Sequence, residues 1–400
     1  MTEAPAPAPP AAPEGQLPST TAGRLAARYR AGGLVVPIVT TVVAFLMGGL
    51  VVLATGHNPL STYRAIFNGT GLTWLIPGVG NRHNAAINLQ QTLVVATPLM
   101  LTGLAVAFAF RCGMFNIGGQ GQYLSGQTVA LIVASSWLGL AGPVHILLAV
   151  VLATLAGACW AGIAGFLKAT TGAHEVISTI MLNWIAIWTA DYFFGVNGPF
   201  QGSVVYNPIS NDIAGNTHLP VFWGNPLLQG LHIGFFIAVA MLFVYWIVLN
   251  RTTLGFEVRA VGFNPEAARY GGISVRWNYF RALAISGCFA GLAGAIDVLG
   301  WQFRIATPDI HYSNIGFLGI AVALLGRNSA VGVFFSAILF GALAVGTSTR
   351  QLDPTIFDPS LASNLTLIIQ GLVVLFVGAD LLVLAIWQSR KKLRPARRPA

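Results

Sequence analysis

Three stretches hold the side chains that could recognise or transmit something. The first is Arg111-Cys-Gly-Met-Phe-Asn-Ile-Gly-Gly-Gln-Gly-Gln-Tyr123, where Phe115, Asn116, Gln120 and Gln122 stand among Gly113, Gly118, Gly119 and Gly121. In a helix each glycine costs about 1 kcal/mol relative to alanine, and buried amides without hydrogen-bond partners are costly. At membrane depth such backbone is tolerated where it is buried in protein or lines a cavity. The run therefore reads either as close helix packing with internally satisfied amides or as the lining of a pathway. The second stretch is Glu175-Val-Ile-Ser-Thr-Ile-Met-Leu-Asn-Trp-Ile-Ala186. Here Trp184 could stack on a flat ring or sugar face with Asn183 bonding to it; a core tryptophan beside a satisfied amide is the plainer alternative.

The third stretch, Gly262-Phe-Asn-Pro-Glu-Ala-Ala-Arg-Tyr-Gly-Gly272, lies in the polar segment Arg251–Trp277. It spells a short, isolated helix. Asn264 is a good N-cap and Pro265 suits the first helical position. Glu266 complements the positive end of the helix dipole and Arg269 the negative end, and Gly271 or Gly272 stops it. A helix of about six residues is not stable alone in water, so it is expected to dock on a partner protein or to lie as a decorated loop on a membrane surface.

Chemistry of the bond-breaking kind is not indicated. There is no Gly-x-x-x-x-Gly-Lys-Ser/Thr phosphate loop, no His-Glu-x-x-His, no Cys-x-x-Cys and no Gly-x-Ser-x-Gly. Cys112, Cys159 and Cys288 are odd in number and irregularly spaced, which argues against a disulfide framework or a metal site.

The elements that must carry these stretches are apolar. Of the 400 residues 55% are hydrophobic and 8% are charged, where a soluble domain carries about 25% charged residues. Runs long enough to cross a bilayer, about 20 residues, fall near 33–55, 90–110, 115–137, 144–167, 176–196, 230–250, 281–300, 310–326, 329–348 and 363–387. The runs at 115–137 and 310–326 are rich in glycine and polar residues and are expected to be short, tilted or broken. With both termini cytoplasmic and all ten runs crossing, 17 basic residues lie inside and four outside, namely Arg64, Arg82, Arg304 and Arg350. The net charge of +9 is thus a topology signal rather than a nucleic-acid footprint. Residues 1–32 read as a disordered cytoplasmic tail, 33–388 as one transmembrane domain and 389–400 as a basic cytoplasmic tail. Asn116-Ile117-Gly118 recurs as Asn314-Ile315-Gly316 on runs of opposite direction, the pattern of an inverted repeat whose interrupted helices mark a substrate site. Asp191, Asp297 and Asp380 are scattered and read as polar caps and interface contacts rather than a proton relay.

Residues Arg259–Ile273 resemble the coupling-helix loop of bacterial ABC importer permeases, in the branch that handles ribose-type sugars, branched-chain amino acids and nucleosides. The run Phe115–Gln122 resembles the Phe-Asn-Ile-Gly-x-x-Gly-Gln signature beside that family's translocation path, and Glu175–Ala186 is nearest in wording to nucleoside-type permeases. The resemblance implies an all-α polytopic protein of the type II importer kind, about ten transmembrane helices in two inverted halves. It implies contact of Gly262, Asn264, Pro265, Glu266, Ala267, Ala268, Arg269 and Tyr270 with an ATPase subunit. Phe115, Asn116, Gly118, Gln120, Gln122, Asn183 and Trp184 are then expected along the substrate pathway. Expected partners are the ATPase subunit, which would hold ATP and Mg, a second and different permease chain, an external substrate-binding lipoprotein and membrane lipids. The expected site is the bacterial cell membrane and the expected solute a nucleoside, with simple sugars and branched-chain amino acids as alternatives. An ion-coupled secondary transporter is the alternative of a different class.

Overall fold

The computed structural model describes residues 35–136, 139–204, 206–225, 230–347 and 359–378. The expected tails 1–32 and 389–400, Asp380 and the end of the last apolar run lie outside the described residues. In chain order the helices are α1 (Val35–Ala54), α2 (Pro59–Gly69), α3 (Arg82–Arg111), α4 (Gly119–Ser136), α5 (Gly142–Thr171) and α6 (Glu175–Phe194). A long connection containing the antiparallel pair β1 (Val221–Trp223) and β2 (Leu231–His232) leads to α7 (Gly234–Arg251), α8 (Thr253–Phe263), α9 (Pro265–Tyr270) and α10 (Val275–Asp297). The last of these continues as a π-helical turn, Val298–Gln302. The series closes with α11 (Thr307–Tyr312), α12 (Ile315–Leu325), α13 (Ala330–Gly346) and α14 (Pro359–Gly378).

Helix starts fall where short polar side chains can take the free N–H groups. Asn81 accepts from the N–H groups of His83 and Asn84, Thr252 from Gly255, Ser274 from Trp277 and Ser329 from Gly332. Among the described residues five helices are long and apolar enough to cross a membrane: Arg82–Arg111, Gly142–Thr171, Glu175–Phe194, Gly234–Arg251 and Val275–Gln302. The most apolar windows of α3 and α10 are 83% buried, whereas those of α5, α6 and α7 are only 28% buried. Thus α3 and α10 form the centre, and the outer helices present Leu147, Leu155, Ile163, Phe236, Phe243 and Ile247 outward.

Glycine sets how closely the centre packs. A methyl group on Gly126 of α4 would sit 2.4 Å from the Gly291 carbonyl oxygen of α10, and one on Gly157 of α5 the same distance from the Gly287 oxygen. Three helices therefore meet backbone to backbone, as small residues permit.

Each predicted apolar run contains helix among its described residues, but two runs differ in extent. The run 115–137 is helical only from Gly119, because the Asn116 Oδ1 accepts the Gly118 N–H at 2.8 Å. That local side-chain turn competes with the helix. The run 310–326 is split at Ser313–Asn314, and its α12 has 11 residues. At 1.5 Å per residue α12 covers about 16 Å, roughly half of a bilayer core. The segment 56–89 holds α2, a helix not anticipated from the sequence.

One end of the bundle gathers the basic residues. Arg111 donates through Nε and Nη2 to the Asn328 carbonyl oxygen at 3.1 and 2.7 Å, and Tyr245 donates to the same oxygen at 2.7 Å. Lys168 pairs with Glu175 at 2.8 Å and Arg281 with Glu257 at 3.8 Å. At the opposite end the long connection runs beside the π turn. The N–H groups of Ser210, Ile213 and Leu219 donate to the carbonyls of Ile305, Phe303 and Leu299, which satisfies backbone acceptors that the irregular turn leaves free.

Candidate functional site

The two Asn-Ile-Gly triplets come together inside the bundle. Each precedes or opens a helix, α4 after Asn116–Gly118 and α12 at Ile315, and the two N-termini touch. A methyl group on Gly119 would lie 3.1 Å from the Gly316 carbonyl oxygen, and one on Gly316 only 2.3 Å from the Gln120 backbone nitrogen. Gln120 Oε1 accepts the Gly316 N–H at 2.8 Å, and Thr102 Oγ1 lies 3.3 Å from the Ile315 carbonyl oxygen. A helix N-terminus leaves N–H groups unpaired, and here the side chain of one half-helix caps the other.

The remaining amides are used within the chain. Asn116 and Gln122 exchange two hydrogen bonds of 3.0 Å, and Asn116 Nδ2 also donates to Ser286 Oγ at 2.7 Å. Asn183 Oδ1 accepts the Gly121 N–H at 2.8 Å, while its Nδ2 donates to the Ile117 carbonyl oxygen at 2.9 Å. Asn116, Gln120, Gln122 and Asn183 are all buried, as is Gly118; Phe115 is half-buried. Of the seven expected pathway residues, Trp184 alone is exposed, at 56%. The structure thus brings six of them together as an internally braced break and leaves the seventh on the surface. One donor in the break, Gln120 Nε2, is buried without a partner.

The short helix α9 is built as its sequence dictates. Asn264 Oδ1 accepts from the N–H groups of Glu266 and Ala267 at 3.0 and 3.1 Å, and Pro265 occupies the first turn. Gly271 closes it with φ −75°, and the left-handed residue is Gly272, φ +82°. Ala268 is its one buried side chain; Phe263 and Tyr270, at its two ends, are 91% and 92% exposed. Gly262, just before it, touches the turn that precedes the break. A methyl group on Gly262 would meet the Arg111 carbonyl oxygen at 2.3 Å, and one on Gly113 would meet Gly262 Cα at 3.3 Å. The segment leading into the displayed helix and the turn leading into the braced break are therefore in backbone contact.

Two further groups have surroundings that the sequence did not disclose. Asp297 is 1% exposed and is the acceptor for Tyr123 Oη, Trp301 Nε1 and Gln302 Nε2, while Gln127 donates to Tyr123 Oη at 3.2 Å. The carboxyl group is an interface contact, the hub of a network joining α4, α10 and the π turn. The signal was present as Tyr123 and Gln127, four residues apart and so on one helix face. The second group lies on α6, where Trp188 and Tyr192 follow Trp184 at the same spacing and are 59% and 70% exposed. Beside them Asp191 Oδ1 lies 3.1 Å from Thr307 Oγ1 and 3.5 Å from His311 Nε2.

His232 on β2 packs against Gly300 of the π turn, and its Nδ1 accepts the Gly234 N–H at 3.2 Å. Burial pushes its pKa down to about 4, because removal from water disfavours the charged imidazolium.

Comparison with known proteins accords with this architecture. The family described as the branched-chain amino acid transport system permease component matches residues 88–378. The guanosine ABC transporter permease protein NupP of Bacillus subtilis is 37% identical over 375 residues, covering 91% of this chain and 98% of that protein. The nucleoside ABC transporter permease protein NupB of Lactococcus lactis is 31% identical, covering 90% and 95%. The glucose ABC transporter permease protein TsgB13 of Haloferax volcanii is 34% identical, covering 85% and 86%. No solved structure matches the chain.

Proposed function

The chain belongs to the branched-chain amino acid transport system permease family, and from that premise we propose that it is the membrane-spanning permease of an ATP-driven importer of nucleosides. The observation that carries the mechanism is α9, a capped helix held out with Phe263 and Tyr270 exposed and joined at Gly262 to the turn before the break. Exposed aromatic side chains at the ends of a rigid, short helix suit insertion into a partner's groove. On this reading an ATPase subunit carrying ATP and Mg receives Asn264–Tyr270. Its closure pushes Gly262 against Arg111–Gly113 and shifts the N-terminus of α4.

The gathering of Arg111, Lys168, Arg281 and Arg327 at one end supports a cytoplasmic assignment for that end, with ten crossing elements and both termini inside. The contact between the two Asn-Ile-Gly half-helices supports two inverted halves. Phe115, Asn116, Gly118, Gln120, Gln122 and Asn183 then brace the moving break, while Trp184 faces the solute. A second, different permease chain would close that face, and an external binding lipoprotein would deliver the solute. Nucleoside as the substrate class rests on the relatives NupP and NupB; the glucose permease relative supports sugars as the second reading.

The test is uptake of labelled guanosine by cells expressing the whole transporter, with ribose, glucose and leucine as competitors and Glu266→Lys as the uncoupled variant. Saturable uptake competed by nucleosides alone and abolished by Glu266→Lys, with the protein still in the membrane, is the expected result. Competition by a sugar but not by nucleosides would overturn the substrate class. Uptake that persists without the ATPase subunit would establish an ion-coupled carrier instead.

A further inference from the structure

The exposed face of α6 differs from the other outward faces of the bundle. α5 presents aliphatic and phenyl groups, as expected against lipid, and α7 presents the same with a single tryptophan, Trp246. On α6, Trp184, Trp188 and Tyr192 recur every fourth residue and so form one stripe, lining a shallow recess of about 440 Å³ together with Ile185 and Thr189. Only Tyr192, third from the C-terminal end of α6, stands where an interfacial belt would, because such belts lie at headgroup level. Trp184 is nine residues into a 20-residue helix, about 14 Å from its start and therefore near mid-depth.

Polar groups lie beside the recess at one edge, next to Trp188. Asp191 is held by Thr307 and His311, and the His311 ring meets Trp188 edge to face with centroids 5.4 Å apart. Tyr312 and Asn314, which follow on the chain, are also exposed. Ionisable groups toward the membrane face a protein interior or a water-filled cavity rather than lipid. A flat apolar surface with a carboxylate, an imidazole and a hydroxyl at its rim matches a neutral planar heterocycle that carries N–H donors on its edge.

We infer that this face is the half-site for the base of the transported nucleoside, with Trp188 as its stacking platform, Trp184 and Tyr192 as neighbouring platforms along the path, and Asp191 as acceptor for the edge N–H groups. Stacking on aromatic side chains tolerates any base, whereas the carboxylate favours bases that present donors. Leucine has no ring to stack, and a hexose, though its C–H face can lie on an indole, presents no edge N–H donors to Asp191. The inference rests on the proposed nucleoside permease reading and assigns the recognition that reading leaves open.

The test uses the complete transporter in proteoliposomes, comparing Trp188→Ala, Trp188→Phe and Asp191→Asn for guanosine uptake and for binding-protein-stimulated ATP hydrolysis. A second measurement follows Trp188→Cys, in a background with the three native cysteines replaced by alanine, by its modification with a membrane-impermeant thiol reagent. Trp188→Ala is expected to lower uptake at least tenfold with ATP hydrolysis retained, Trp188→Phe to restore it to within about threefold, and guanosine but not ribose to slow the labelling at position 188. Labelling by a lipophilic reagent alone would make the face lipid-exposed and overturn the inference. So would cross-linking to the second permease that guanosine does not alter. Unchanged uptake in Trp188→Ala, with guanosine transported normally by the unmodified protein, defeats the site alone. Absence of guanosine uptake in the unmodified protein defeats the substrate reading together with the site.

Discussion

The carbonyl oxygen of Arg111 lies against Gly262, so close that a single methyl group on that glycine would sit 2.3 Å away. Arg111 ends the central helix α3, and Gly262 is the next-to-last residue of α8, just ahead of the displayed helix α9. A push on α9 has no slack before it reaches the turn that leads into the break.

Gly262→Val should therefore force the two backbones apart and abolish transport while the protein remains in the membrane. Gly271→Ala is the matched control: a methyl group there meets nothing closer than the Ala268 carbonyl oxygen at 3.4 Å, and its φ of −75° suits any residue. Guanosine uptake and binding-protein-stimulated ATP hydrolysis, measured on both variants, should fall at least tenfold for Gly262→Val and stay near normal for Gly271→Ala.

Among the described residues Phe263 and Tyr270 are left almost fully exposed. Replacing either with serine should leave the thermal stability of the purified permease unchanged within about 0.5 kcal/mol, as for ordinary surface positions. Co-purification of the ATPase subunit should nonetheless be lost or strongly reduced. A drop in permease stability without loss of the ATPase would contradict the docking role.

Asp297 accepts from three side chains, and the indole N–H of Trp301 cannot turn away from it. In Asp297→Asn one amide NH₂ must face a donor, leaving a buried donor unpaired at a cost of about 1–3 kcal/mol. The melting temperature of the purified permease should fall. Gln127→Ala, which removes a more distant member of the network, should lower it less.

The buried His232 sets a pH limit. Its folded-state pKa is about 4, below the usual value near 6.5, so below pH 6.5 the unfolded chain takes up a proton that the folded chain refuses. Stability is complete above pH 6.5 and declines as pH falls toward 4. At pH 5 the loss amounts to about 2 kcal/mol. Melting curves at pH 7.5 and pH 5 should show a larger drop for the natural protein than for His232→Gln.

The elements most legible in the sequence were those fixed by local chemistry. Asn264, Pro265 and the glycine pair specify α9 within a dozen residues, and the structure reproduces the cap, the length and the stop. The Asn-Ile-Gly repeat was visible as three letters, but its meaning, two helix N-termini in contact, depends on Gln120 reaching Gly316 across 196 positions. The amides at Asn116 and Asn183 could be read as packing or lining, because burial is decided by neighbours such as Ser286 that no local pattern names. Asp297 was visible as a charge and not as a hub, since its partner Tyr123 lies 174 residues away. The split of 310–326 was foreseeable from its polar residues, whereas the π turn before it had no local marker.

The glycine contacts among α4, α5 and α10 carry a mechanical consequence. Where Gly126 and Gly157 meet Gly291 and Gly287 without side chains between them, the helices cannot slide without main-chain collision, and interiors so tightly packed transmit displacement instead of absorbing it. The three helices form one slab, bounded by the non-helical segments 112–118 and 303–306, and a displacement applied to one of them is passed to the other two.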